Sequence, residues 1–199
     1  MTYIREKSLA WYASRYWKPA VAVGLSVAVL GAGIAFGCEK QPSQTEYQET
    51  PKTLSEMNYD TFTAWNVPLD EDLQLYIYEL GERYSIAPEL ILAVIGQESN
   101  YRADMVGDGG DSVGLMQVQP KWHAERMEKF NVTDLTNPYE NVLIGTDYLA
   151  ECIGKGGLEW GLMCYNGGAE YANAKTEQGV VTEYVEGVML LAELLKGGN

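Results

Sequence analysis

Between residues 67 and 196 the apolar residues return every three to four positions, the spacing that lines one face of an α-helix. Leu73, Ile77, Leu80 and Tyr84 mark one such face, and Ile91, Val94 and Ile95 a second. Tyr184, Val188, Leu191, Ala192 and Leu195 mark a third, on a helix opening near Thr182. No convincing run of alternating polar and apolar residues offers a strand here, so this part of the chain is expected to be mainly α. Pro88 suits a first helical turn, where its missing N–H would have no partner. Residues 101–112, YRADMVGDGGDS, crowd three glycines among aspartates and serine and read as a loop. Asn137-Pro138 starts a helix to about residue 153, ended by Gly154, Gly156 and Gly157. Residues 159–165 form another, with Gly167-Gly168 as its stop.

Glu98 continues the second apolar face, seven positions after Ile91 and three after Ile95. It falls in the last turn of its helix, where the negative end of the macrodipole disfavours another negative charge. Burial and dipole both favour the protonated carboxyl near neutral pH. Such a proton-holding acid is what breaking a glycosidic bond requires. On spacing alone, a glutamate at a frayed helix end facing water remains the alternative.

The chain divides by charge and composition. Its formal net charge is −14, which opposes binding to nucleic-acid phosphates. Residues 1–40 hold five Lys/Arg against two Glu, so the acidity lies in the rest. Residues 20–36 are uncharged and almost wholly apolar, ~26 Å as a helix, at the short limit for spanning a bilayer. Trp11, Tyr16 and Trp17 would sit at the interface, and Arg15 and Lys18 would hold that side in the cytoplasm. The expected plan is a cytoplasmic tail and membrane anchor over 1–38, a flexible tether over 39–66, and a helical domain over 67–199. The domain would then be extracytoplasmic. A lipoprotein site at Cys38 and cleaved secretion are the competing outcomes.

Cysteine and histidine narrow the chemistry further. Cys38, Cys152 and Cys164 show no metal-ligand spacing, and His123 is the single histidine, so zinc sites built on several histidines are excluded. No motif flanks a Cys/His peptidase pair. Cys152 and Cys164 read as small apolar packing residues. A disulfide between them would suit an extracellular setting, but the expected helix hairpin sets them out of register. Asp104, Asp108 and Asp111 lack the alternating spacing of a calcium loop. No metal and no cofactor is expected. His123 and Trp122 are assigned to surface or core packing.

Glu98-Ser99, Gly114-Leu115-Met116-Gln117, Tyr165-Asn166 and Tyr184 occur in this order at spacings that resemble the soluble-type (SLT) lytic transglycosylases. These belong to the lysozyme-like superfamily, which cleaves peptidoglycan glycan strands, and the likeness covers roughly residues 70–195. Part of the stretch also looks like wall-lytic enzymes of Gram-positive bacteria. One departure is visible: Cys164 stands where the family usually has Ala before Tyr-Asn.

The resemblance implies a lysozyme-like helical domain with Glu98 as general acid, then base, at the MurNAc–GlcNAc bond. It implies a 1,6-anhydro product formed without water. It carries Met116 and Gln117 into the cleft wall and leaves Leu115 structural. It sets Tyr165 and Asn166 along the cleft, and points the Tyr184 hydroxyl at Glu98. Ser99 either meets the substrate or loop, or caps helix carbonyls. The partners implied are peptidoglycan strands and, through the N-terminal helix, the membrane; secretion or conjugation machinery is a candidate setting.

Two alternatives stand beside this reading. A muramidase would use water, with one of the loop aspartates as second carboxylate. A wall-binding or assembly protein would keep the fold without the chemistry.

Overall fold

The computed structural model describes residues 62–197. The expected tail, membrane anchor and Cys38 site, and most of the tether, lie outside the described residues. Among the described residues no helix is long and apolar enough to cross a membrane. The packed chain starts earlier than the expected boundary at 67. Trp65 is buried, its backbone N–H donates 2.7 Å to the Gln74 Oε1, and its ring meets Phe62 edge-on.

Among the described residues five α-helices form the domain: α1 Glu71–Tyr84, α2 Pro88–Ser99, α3 Pro120–Lys129, α4 Pro138–Glu177 and α5 Glu183–Lys196. A small antiparallel hairpin lies between α2 and α3, with β1 Val106–Gly107 paired to β2 Ser112–Val113. No strand was expected there. In the turn of the hairpin Asp108 and Gly109 both adopt positive φ, and Val106 faces Val113 across the pair.

The second helix is the centre of the core. Leu90 through Ile95 are all buried, so α2 is apolar all round and not striped as its spacing suggested. Each fully buried Leu or Ile there contributes about 2 kcal/mol of transfer free energy. α1 packs on one side and α5 on the other, where Val185, Val188 and Ala192 are buried. Pro88 occupies the first turn of α2, and the Thr182 hydroxyl accepts from the Val185 N–H to cap α5.

The fourth helix is three helical arms joined at Gly157 (φ 84°) and Gly168 (φ 82°). Both take the left-handed, extended backbone that residues with a Cβ avoid. The glycines expected to end the first arm do so only at Gly157; Gly154 and Gly156 stay helical. A straight helix would part Cys152 from Cys164 by ~18 Å. Their sulfurs lie 2.7 Å apart, so the chain folds back at Gly157. The expectation that these cysteines fall out of register is therefore corrected. A glycine at 161 lets the two arms approach, since a Cβ there would lie 2.7 Å from the Ile153 Cα.

Candidate active site

The end of α2 sets Glu98 at the edge of the core. Its neighbours Ser99 and Ile95 are buried, while Glu98 itself is half-buried. Asn100 and Tyr101 follow with φ of 52° and 63°, turning the chain sharply away from the helix. From α5, the Tyr184 hydroxyl donates to Glu98 Oε1 at 2.6 Å. Burial pushes the Glu98 carboxyl up to about 6. The Tyr184 bond opposes that rise, and the nearby negative charge of Asp108 adds to it. Tyr184 is itself held well above the usual phenol range, first by burial and then by the Glu98 charge, so it remains a donor.

The stretch from Gly114 to Gln117 forms a tight turn, closed by the Gln117 N–H donating to the Gly114 carbonyl at 3.3 Å. Gly114 has φ 78° and Gln117 has φ 47°. Leu115 and Met116 are fully buried, and the Met116 N–H donates 2.8 Å to Asn141 Oδ1. The Asn141 amide donates in turn to the carbonyls of Val113 and Leu135, at 2.7 and 3.0 Å. One buried side chain thus ties the hairpin, the turn and the loop before α4 together. Asn141 was not foreseen from sequence. The signal available was a lone amide at the start of the apolar run 142–144.

Each expected contact residue has a definite place. Ser99 is buried and its hydroxyl donates to the Ile95 carbonyl of its own helix at 3.1 Å. The Met116 side chain lies in the core against Gly145. The Met116 backbone carbonyl accepts from the Tyr165 hydroxyl at 2.8 Å. Tyr165 is raised well above the phenol range by burial and then by Glu98, whose charge it therefore feels. The Gln117 amide donates to the Met105 and Gly114 carbonyls at 3.2 and 2.9 Å, which secures the loop. Asn166 is exposed, two residues before the Gly168 break.

A further layer supports Tyr165. The Tyr148 ring lies tilted against the Tyr165 ring at 5.4 Å between centroids, with His123 4.6 Å away on Tyr148. Arg126 pairs with Asp147 and Glu151 and binds α3 to the first arm of α4. The Tyr84 hydroxyl also donates 3.0 Å to Asp147. Trp122 is exposed and His123 half-buried, both outside the acid's surroundings in hydrogen bonding.

Of the loop aspartates, Asp108 is the one whose charge reaches Glu98. Its carboxylate accepts from the Ser112 hydroxyl at 2.6 Å and the Gln119 amide at 3.0 Å. Asp111 pairs with Lys121, and Asp104 is exposed. Among the described residues no three His, Cys, Asp or Glu side chains gather as a metal site.

Chemically, one acid with a raised proton affinity and one phenol donor fixed on it can deliver a proton and then stabilise the resulting anion. Comparison with known proteins gives this arrangement a context. The family model "Transglycosylase SLT domain" matches residues 75–182, just over half of the chain. The X polypeptide of Escherichia coli strain K12 is 33% identical over 95 residues, covering 44% of this chain and 56% of the relative. A putative peptidoglycan-binding-like protein of the same strain is 29% identical over 121 residues, covering 54% and 76%. The chain therefore spans little more than half the length of the X polypeptide. Among solved structures, an inactive mutant of the lytic transglycosylase Slt from Pseudomonas aeruginosa superposes with a TM-score of 0.54 at 20% identity. That likeness covers 61% of this chain and 23% of the other, and it speaks for the fold.

Proposed function

The chain belongs to the transglycosylase SLT domain family, with its lysozyme-like fold, and from that premise we propose that it is a peptidoglycan lytic transglycosylase. It cleaves the β-1,4 bond between MurNAc and GlcNAc and leaves a 1,6-anhydro-MurNAc end. The observation that carries this reading is the half-buried Glu98 bonded at 2.6 Å by Tyr184.

Glu98, protonated up to about pH 6, gives its proton to the oxygen joining the two sugars. Such proton delivery is worth on the order of 10²–10⁴ in rate. As that bond breaks, positive charge gathers at the muramoyl anomeric carbon and Glu98 is left ionised. The Tyr184 hydroxyl holds Oε1 in this state. The carboxylate then takes the proton of the muramoyl 6-hydroxyl, whose oxygen closes on the anomeric carbon. No water is consumed, and Glu98 ends the cycle protonated. Asn166 and the Tyr165 ring are assigned to the glycan-facing wall. Ser99, Met116 and Gln117 are assigned to holding that wall in place.

A second reading, hydrolysis, is favoured by one observation: the Asp108 charge acts on Glu98. Asp108 would then direct a water at the anomeric carbon. Digestion of purified sacculi followed by mass spectrometry separates the two. Muropeptides lighter by one water support transglycosylation, and products that keep the water refute it in favour of a muramidase. No soluble product at all would leave a wall-binding protein. We place the domain outside the membrane, with residues 20–36 as its anchor and local wall opening for secretion or conjugation machinery as its setting. Lipidation at Cys38 and release by cleavage are the alternatives, distinguished by fractionation and N-terminal mass.

A further inference from the structure

We propose that Cys152 and Cys164 are joined by a disulfide in the working protein, as a covalent clasp across the Gly157 fold-back. The two side chains are buried and their sulfurs lie 2.7 Å apart, within about 0.7 Å of a disulfide bond length. Other roles for these thiols fit the surroundings poorly. Burial pushes the Cys152 thiol far above its ordinary range, so little thiolate is available for catalysis. The group beside Cys164 is the Tyr148 hydroxyl, 4.0 Å from its sulfur, which offers no positive charge. Among the described residues no third ligand gathers with them for a metal.

The bond forms by exchange with an oxidised dithiol, either a disulfide oxidoreductase or oxidised glutathione. One cysteine thiolate attacks the oxidant's disulfide, and the second displaces the oxidant's sulfur from the mixed disulfide. Two thiol protons and two electrons leave the protein, and the oxidant departs as thiols. Because burial suppresses ionisation of the folded Cys152 thiol, exchange happens while the arms are still opening and closing during folding.

The clasp bears on the site. Cys164 directly precedes Tyr165, and the Tyr148 hydroxyl donates 3.3 Å to the Cys164 carbonyl. Joining the arms fixes the segment from which Tyr165 reaches Met116. The proposal rests on the wall-acting reading only for its oxidising surroundings.

The test uses the full chain, refolded in a glutathione redox buffer, then denatured, alkylated without reductant and mapped by mass spectrometry. Expected is a Cys152–Cys164 linked peptide two hydrogens lighter than the dithiol, with Cys38 alkylated or glutathionylated. Reduction should lower Tm on the order of 10 °C, as a closed loop of this length implies. Alkylation of both Cys152 and Cys164 in the oxidised sample overturns the proposal, as does pairing of either with Cys38 or glutathione. An unchanged Tm on verified loss of the bond overturns its role as a clasp. Muropeptide release is measured separately: a linked protein that releases nothing refutes the transglycosylase reading and leaves the bond standing.

Discussion

Tyr184 and Glu98 are 86 residues apart in sequence and share a 2.6 Å hydrogen bond. Two bare positions allow it. Gly96 lies against Leu191, where a Cβ would come within 2.6 Å of Cδ2, and Gly187 lies against Gln97. The helices α2 and α5 therefore cross closely enough for a phenol on one to reach a carboxylate on the other. A bond to an ionised acceptor is roughly twice as strong as one to a neutral acceptor. The pair thus favours the state reached after the proton has left, which is where a rate gain arises.

Replacing that phenol with Tyr184→Phe should lower kcat about 10- to 100-fold, the worth of one hydrogen bond to a charged group. KM should stay within about twofold, because the hydroxyl is spent on Glu98 and not on sugar. Steady-state kinetics on soluble glycan strands checks this. An unchanged kcat would put the hydroxyl outside the mechanism.

The pH profile follows from the same residue. Glu98 must be protonated to act, so kcat/KM should fall tenfold per unit above about pH 6. The Tyr184 bond lowers the carboxyl and the Asp108 charge raises it. Tyr184→Phe should therefore move the alkaline limb upward and Asp108→Asn should move it downward. Opposite movement, or none, in both variants would refute this account of the site's electrostatics.

Glu98→Gln separates activity from stability. The folded carboxyl sits at about 6 against an ordinary 4.5, so the folded state holds its proton more tightly than the unfolded state. That contribution is full below 4.5 and is lost as pH climbs through 6, by roughly 2 kcal/mol. Glutamine carries no charge and escapes the loss. The variant should release no soluble muropeptides while still binding strands. Its Tm advantage over the wild type should grow between pH 4.5 and 6 and level off above. Calorimetry across that range is the measurement.

What sequence discloses here is mostly local. Pro88 and Asn137-Pro138 mark helix starts because their backbone limits act within one turn, and the stripe through Val188 and Ala192 survives as the buried face of α5. Spacing alone singles out Glu98, but its meeting with Tyr184 comes only through family likeness; nothing within either helix says that they meet. The central burial of α2 was hidden because a helix covered on every side loses its stripe. The register across the Gly157 fold-back stayed hidden for a related reason: a glycine-rich stretch shows where a helix can break but not which residues the two arms bring together. Asn141 and Tyr148 act through partners as far as 28 and 16 residues away, and a polar residue in an apolar run carries no label for its partner.

Asn141→Ala should be costly despite its distance from the reacting bond. It orphans the Met116 N–H and the Leu135 carbonyl, while the Val113 carbonyl keeps its bond from Val118. Two unsatisfied buried groups amount to about 2–4 kcal/mol. Denaturant unfolding should show that loss. The accompanying fall in activity should appear in kcat, because the turn that positions Tyr165 is loosened. A loss below about 0.5 kcal/mol would mean that water enters and replaces the amide.

Gly145→Ala tests the same turn from the opposite side. A Cβ at 145 would stand 2.5 Å from the Met116 Sδ and 2.7 Å from its Cβ. The thioether can swing aside, but the Met116 Cβ is fixed to the backbone and has to carry the turn with it. Overpacking of this kind costs about 1–3 kcal/mol. Alanine is a better helix former than glycine by about 1 kcal/mol, which offsets part of the cost. The net loss should therefore be small while the displacement of Met116 is not. Since the Met116 carbonyl is what the Tyr165 hydroxyl holds, activity should fall several-fold in a protein that unfolds within a few degrees of the wild type. Full activity with a shifted Tm would show that Tyr165 tolerates movement of its anchor, and would confine this turn to a structural part.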